Sequence, residues 1–298
     1  MKRKPGTDTL GFTLVELMIA LVVGLVAIGA VYSVYAVHQR AYRNQQIRLS
    51  VQQDLRGALV IVEQQMRLAG YDPEESGLFG IKDVRRYHLV DTRDDPQGQP
   101  AVFYTVDMDE NGAPDDRGRI AGRYPDGSIH FRNQEHCNFR IRDDKETGRR
   151  FLAWDNGAGR NPLAENIQAL GVAYGVDLDG DGRLDTWAGG AHPIWAVDTD
   201  NDNLLDTHLD VDNNGIIDEN DDTNGDLRIT AADGGLLNPP IPVTRIRALR
   251  VWLLAMSPRR LQGHVDQSTY VVGDRIVKAS GDGFFRRLAQ TTIVGRNL

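Results

Sequence analysis

From Phe12 to Val37 the chain runs through "FTLVELMIALVVGLVAIGAVYSVYAV", apolar throughout except for one charge, Glu16. A helix of that length spans a hydrocarbon core of ~30 Å. Beyond it the apolar positions thin to a stripe: Val51, Leu55, Ala58, Val62, Met66 and Ala69 recur three or four apart, with Gln52, Gln53, Arg56, Glu63 and Arg67 between them. That period predicts one helix continuing out of the apolar run, amphipathic in its second half. Gly70 and Pro73 supply a terminating glycine and a breaker, so the helix is expected to end near Ala69. Roughly 57 residues at 1.5 Å each make a rod of about 85 Å. Gly24, Gly29 and Gly57 each weaken it by about 1 kcal/mol relative to alanine.

From Tyr71 the pattern shortens to runs bounded by turn residues. "AVFYTVD", "SIHFR", "ALGVAYGVD", "IRALRVWLLAM", "TYVVGDRIV" and "RRLAQTTIV" read as strands, the alternation plainest from Ile246 through Ala248 and Leu249 to Leu254. A long helix packed on an antiparallel sheet makes the fold class α+β.

The totals are those of an anchor plus one sizeable globular part: 298 residues, 41% apolar and 26% charged. Lys2, Arg3 and Lys4 precede the apolar run. The positive-inside rule therefore places the N-terminus in the cytoplasm and everything after about Gln39 outside. The run is too long for the core of a secretory signal, and no A-x-A site follows it, so the anchor is expected to stay. Cys137, the single cysteine, leaves no internal disulfide to stabilise the exported part.

A carboxylate in a membrane span costs about 2.5–3.5 kcal/mol, so Glu16 needs a partner or a purpose. Its context is basic residues, then Gly11, then Phe12-Thr13-Leu14-Val15-Glu16, then an unbroken apolar helix. This resembles the signal of type IV prepilins and of type II secretion pseudopilins. The resemblance implies that a membrane prepilin peptidase cuts after Gly11, that Phe12 becomes the methylated N-terminus, and that Glu16 pairs with the terminal amine of a neighbouring subunit. A subunit one step out of register would leave two charges unpaired in an apolar core. The stretches "RLAGYDP", "VWLLAMS" and "RRLAQTTIVGRNL" are similar to minor pilins of the PilW class and to J-type pseudopilins.

The formal charge of -8 has one source: between Asp177 and Asp233 stand 16 acidic residues against Arg183 and Arg228. They fall in register. Asp177, Asp179, Asp181 and Asp185 occupy positions 1, 3, 5 and 9 of a loop with Gly182 at 6. Asp198, Asp200, Asp202 and Asp206 repeat this with Asn203 at 6, and Asp210, Asp212, Asn214 and Asp218 with Gly215 at 6. Asp222, Asn224 and Asp226 begin a further copy that has Leu227 at 6 and Asp233 at 12. Upstream, Asp107, Asp109, Asn111 and Asp115 surround Gly112. This is the D-x-[DN]-x-[DN]-G spacing of EF-hand-like loops, in which alternate side chains aim oxygens at one centre. Oxygen ligands without histidine or cysteine select Ca²⁺. No loop has glutamate at position 12 and the flanks do not read as paired helices, so the loops resemble dockerin and thrombospondin type 3 repeats more than sensor hands. The plain alternative is a solvated acidic loop held open by self-repulsion. With calcium the segment orders, and a structural role is expected.

No GxxxxGK[ST], HExxH or GxSxG motif is present and Cys137 carries no mark of a nucleophile, so no catalytic residue is expected and the protein is read as no enzyme. His192 and His208 read as solvated, Trp187 and Trp195 as packing under the loops, and Arg245, Arg247 and Arg250 as facing solvent or a subunit. Nothing suggests nucleic acid. The expected organisation is a leader at 1–11, a helix at 12–70 with its membrane part at 12–37, and a β-rich head at 71–298 carrying the acidic segment at 177–233. The expected function is a minor type IV pilin, inserted in the bacterial inner membrane and then the filament, acting in pilus assembly through its helix with other pilins. A J-type pseudopilin and a calcium-dependent adhesive or ligand-binding head on the same anchor are the alternatives.

Overall fold

The computed structural model describes residues 13–87, 98–108, 110, 112, 135–144, 149–156, 160–187 and 190–298. Gly11, Phe12 and the expected strand "SIHFR" lie outside the described residues. The chain divides into two compact units, 1–47 and 48–298. Helix α1 (Leu14–Met66) supplies the described secondary structure of the first and the opening of the second. In the first unit its apolar side chains, among them Leu14, Ile19, Leu25, Val31 and Val37, are exposed. A helix apolar all round and uncovered by its own chain is suited to lipid or to other helices.

In the second unit the stripe read from the sequence is buried at every position, Val51, Leu55, Ala58, Val62, Met66 and Ala69. The helix ends three residues earlier than its pattern suggests. Leu68 and Ala69 donate to Gln65 and Met66, a tighter final turn, and Gly70 turns its N–H away to Thr105 O at 2.9 Å. Gly70 has φ +76°, and a Cβ there would lie 2.3 Å from Asn297 O. The backbone near the C-terminus thus approaches too closely for any side chain, and the left-handed conformation adds its own cost of about 1–2 kcal/mol. Gly70→Ala is therefore expected to lower the unfolding free energy by at least about 2 kcal/mol. Gly57→Ala, on an exposed helical position with open space around it, is expected to raise it by up to about 1 kcal/mol. Urea melts of the two variants side by side check both signs.

Two antiparallel sheets follow. The first holds β1 (Gly80–Asp83), β2 (Arg86–Tyr87), β3 (Gln99–Thr105), β4 (His136–Asp143), β5 (Arg150–Asp155) and β6 (Arg160–Glu165), in the order β1-β3-β4-β5-β6 with β2 also paired to β3. The second is built from β7 (Ile167–Val176), β8 (Trp195–Val197), β9 (Leu204–His208), β10 (Leu236–Pro242) and β11 (Ile246–Met256), and is completed after a two-stranded hairpin, β12 (Thr269–Val272) and β13 (Arg275–Lys278), by β14 (Arg286–Val294). Its order is β10-β9-β8-β7-β11-β14.

Strand β11 shows why the run "VWLLAM" is almost continuously apolar: both faces are covered. Leu249, Val251, Leu253 and Ala255 join the core that includes the helix stripe and Tyr104, Phe139, Leu152, Leu170 and Tyr174. Ala248, Trp252 and Leu254 face a second core with Ala169, Ala173, Trp195, Val197, Leu209, Ile229 and Val272. The cover over this second core is the acidic segment and the hairpin. The hairpin reaches close because β7 has glycine at 171, where a Cβ would lie 2.5 Å from the backbone of Val272 and Gly273.

Candidate metal-binding loops

Each acidic loop leaves a strand or a preceding loop and folds around its own first carboxylate. In the Asp177 loop, after β7, Asp177 accepts the N–H groups of Gly180 (2.6 Å) and Gly182 (3.0 Å), and Asp185 accepts that of Leu178 from across the loop. Between β8 and β9, Asp198 accepts from Asn201 (2.6 Å) and Asn203 (2.8 Å), and Asp206 from Thr199 (3.0 Å) and Asp200 (3.2 Å). Asp179, Asp181, Asp200 and Asp202 each accept the N–H two residues on. These two loops close on position 9.

The next two are longer and close on position 12. Asp221 accepts from Val211 (2.7 Å), Asp212 (3.3 Å) and Asp218 (2.9 Å), which are positions 2, 3 and 9 of the Asp210 loop. Asp233 accepts from the same three positions of the Asp222 loop, Thr223 (2.9 Å), Asn224 (3.1 Å) and Thr230 (2.8 Å). Asp210 and Asp222 bind the N–H of position 6, Gly215 at 2.8 Å and Leu227 at 2.9 Å. Asn214 and Asp226 at position 5 accept the N–H of position 7, Ile216 and Arg228. Asp218, at position 9, is engaged by the Asn220 N–H instead of closing its loop.

Oxygens of Asp177, Asp179 and Asp185, of Asp198, Asp200 and Asp206, and of Asp210, Asp212 and Asp221 gather within 4.8 Å of one another. Such groups of carboxylates can hold a metal ion. Asp221 is the residue that the position-1-to-9 spacing missed; the 12-residue step from Asp210 to Asp222, repeated from Asp221 to Asp233, carries its signal. In the Asp107 loop, Asp107 is buried and accepts the Gly112 N–H at 3.0 Å. Asp109, Asn111 and Asp115 lie outside the described residues.

Burial and neighbouring charge act against ionisation here. Burial, with Asp206 and Asp200 adding repulsion, pushes Asp198 up to about 6. Burial, with Asp212, does the same to Asp221, also to about 6. In Asp177 burial is outweighed by the N–H groups of Gly180 and Gly182 and by Arg247, so its carboxyl sits below the ordinary value. A cation among these oxygens removes the repulsion and satisfies lone pairs that backbone N–H groups leave free.

Position 8 ties the loops to the cores. It is Leu184, Leu205, Ile217 and Ile229 in the four loops; Leu205 is in the core shared with the helix, and the other three lie in or against the second core. Position 6 needs a left-handed residue. Asn203 meets that need at φ +72°, and Leu227 occupies it at +70°. Asn203 also accepts the Val84 N–H (3.0 Å) and donates to Lys82 O (3.2 Å), while Asn201 accepts the Arg86 N–H (2.6 Å). The Asp198 loop is thereby fastened to the first sheet. The Asp222 loop is fastened to the hairpin: Ile229 N–H donates to Asp274 O, and Ile276 N–H to Leu227 O. Asp274, buried, pairs with Arg86 and with Arg228 (2.8 Å).

Near the loops His208 and Arg250 are packed rather than solvated, whereas Arg245 is exposed as expected. His208 is buried on β9, its Nδ1 accepts the Trp195 N–H at 3.1 Å, and its ring centroid lies 5.0 Å from that of Trp187. That corrects the expectation of a solvated histidine: as part of a strand its ring points inward. Arg250, expected to face outward, lies 4.1 Å over the Trp195 ring because the loops cover that face of β11. Arg247 donates to Thr244 O and Ile246 O.

At the other end of the chain Thr13 and Glu16 form a capping box. Thr13 N–H donates to Glu16 Oε2 (2.9 Å), and Glu16 N–H to Thr13 Oγ1 (3.2 Å). Two orphan donors of the first helical turn are satisfied this way.

Residues 147–297 match the family described as type IV pilus-assembly protein W, and residues 9–32 match the prokaryotic N-terminal methylation motif. Among solved structures, a type IV-like pilin from Thermus thermophilus is similar at 15% identity, covering 83% of this chain and 97% of that one with a TM-score of 0.37. No curated protein matches the chain.

Proposed function

The chain belongs to the type IV pilus-assembly protein W family, a structural and non-enzymatic one, and from that premise we propose that it is a minor pilin that acts in assembling the filament. It enters the inner membrane with its N-terminus cytoplasmic and its head periplasmic, and prepilin peptidase cuts it between Gly11 and Phe12. The observation that carries this reading is the methylation motif over 9–32 at the start of an apolar helix that its own chain leaves uncovered. Intact mass and N-terminal sequence from cells with and without the peptidase test it. A mature chain beginning at methylated Phe12 only when the peptidase is present is the expected result; a chain beginning at Met1 in both overturns it.

In this reading Glu16 has two tasks, capping its own helix and pairing with the terminal amine of a neighbouring subunit. Glu16→Gln separates them, because the amide keeps an oxygen for the Thr13 N–H and loses the charge. Both Glu16→Gln and Glu16→Ala are expected to insert in the membrane and to fail to enter sheared pili. Normal incorporation of the glutamine variant means that capping is the whole role.

The head is stabilised by calcium held in the acidic loops. Support comes from the repeated bonding register of four loops and from buried carboxylates that burial pushes toward neutrality. The donor set is oxygen alone, which fits Ca²⁺, and magnesium demands a stricter octahedron.

A further inference from the structure

We propose that the buried arginines around Asp274 form a binding site for a small monovalent anion, chloride. Asp274 lies in the turn between β12 and β13 and is 1% exposed. Two guanidinium groups meet on one of its oxygens. Arg86, from β2, and Arg228, from the Asp222 loop, both place Nη2 on Oδ2, the second at 2.8 Å. Arg275, next in the chain, adds its attraction to the same carboxylate. Cations therefore outnumber the carboxylate in a largely dry place.

Their donors are not all used. Arg86 has a side chain only 7% exposed, and its Nε and Nη1 are buried with no hydrogen-bond partner; the Nε of Arg228 is in the same condition. Among the described residues, Asp274 is the carboxylate with which these two pair. The other acidic side chains of the Asp222 loop are spent on its own backbone. Asp222 accepts the N–H groups of Gly225, Asp226 and Leu227, and Asp226 accepts that of Arg228.

The excess charge selects the occupant. Asp274 neutralises one guanidinium and leaves another buried without a counter-ion, which is strongly unfavourable. Water would accept the idle N–H groups and leave the charge; an anion answers both. Enclosure favours a free monatomic ion over the carboxylate of a larger molecule. Bound there, chloride ties β2 of the first sheet to the loop and the hairpin that cover the second core.

The test is the thermal midpoint of the full chain in detergent, followed by tryptophan emission, as chloride replaces gluconate at fixed calcium and ionic strength. Gluconate is too large for such a site. The midpoint is expected to rise by about 3–5 °C for each tenfold increase of chloride above its Kd. Bromide, similar in size and equal in charge, is expected to substitute. Arg86→Met leaves Asp274 matched by Arg228 and is expected to remove the dependence, and Arg228→Met, which leaves it matched by Arg86, to do the same. A midpoint indifferent to chloride means that water fills the site and overturns the proposal, as does an unchanged dependence in a variant that folds. Should neither variant fold, the parent chain decides: a rise linear in concentration is a general salt effect and overturns the proposal, whereas a logarithmic one sustains it.

Discussion

Chelating calcium from the full-length protein is expected to strip the cover from the second core and to lower the thermal midpoint of the head. The cover is made of the loops themselves, through Leu184, Ile217 and Ile229. Without a cation, clustered carboxylates repel one another over a buried apolar surface. A single site at free calcium 100 times its Kd contributes about 2.7 kcal/mol, and several sites contribute accordingly more. The midpoint should rise with the logarithm of calcium concentration. Trp195 and Trp252, at 3% and 2% exposure, should shift their emission to the red when calcium is withdrawn. Asp198→Ala and Asp210→Ala should each reduce the calcium-dependent gain, with Asp198→Ala also loosening the bonds from Asn201 and Asn203 to the first sheet. A head that keeps its midpoint and its tryptophan emission in chelator would sink the structural role. It would favour the adhesive alternative, in which calcium serves a bound ligand.

Asp274→Asn is expected to cost about 3–5 kcal/mol, the usual penalty for removing one member of a buried ion pair. The carboxylate is 1% exposed and sits between Arg86 and Arg228, themselves at 7% and 16%. The asparagine keeps the size of the side chain, so the loss comes from leaving two guanidinium groups in a dry site without a counter-charge. Replacing Arg86 by methionine in the same chain should recover part of it, because one of the stranded charges is then gone. The dependence on pH has a definite sign. Burial opposes ionisation of Asp274, but Arg86 and Arg228 outweigh it and hold the folded carboxyl far below its unfolded value of about 3.9. The stabilisation is therefore complete above the unfolded value and is lost as pH falls through the folded one. Between pH 5 and 8, roughly, the gap between the parent and Asp274→Asn should stay constant, and it should narrow below about 4. Urea melts across that range check it. A loss under about 1 kcal/mol at pH 7 would mean that water reaches the triad.

Local chemistry decided much of this molecule before any folding. An apolar run long enough for a membrane, a six-position stripe at helical period and a carboxylate at every second loop position are each set by short-range geometry. The sequence therefore determined the helix, its buried face, the α+β class and the aspartates that the loops gather. It also carried signals that only a longer comparison uses: the aliphatic residue at position 8 of all four loops, and the 12-residue step that puts Asp221 at the closing position of one loop as it puts Asp233 at that of the next.

What the tertiary structure alone decided is where chain segments far apart in sequence meet. No period marks Asp274 as the partner of Arg86 and Arg228, since the three come from a hairpin turn, an edge strand and an acidic loop. Nothing local tells Asn201 and Asn203 to hold the first sheet, or turns His208 and Arg250 inward. Those positions depend on which faces of β9 and β11 are covered, and coverage is a property of the assembled layers. Pattern along a chain reports the solvent exposure of one element; pairing between elements depends on burial and charge that exist only after the layers have closed on one another.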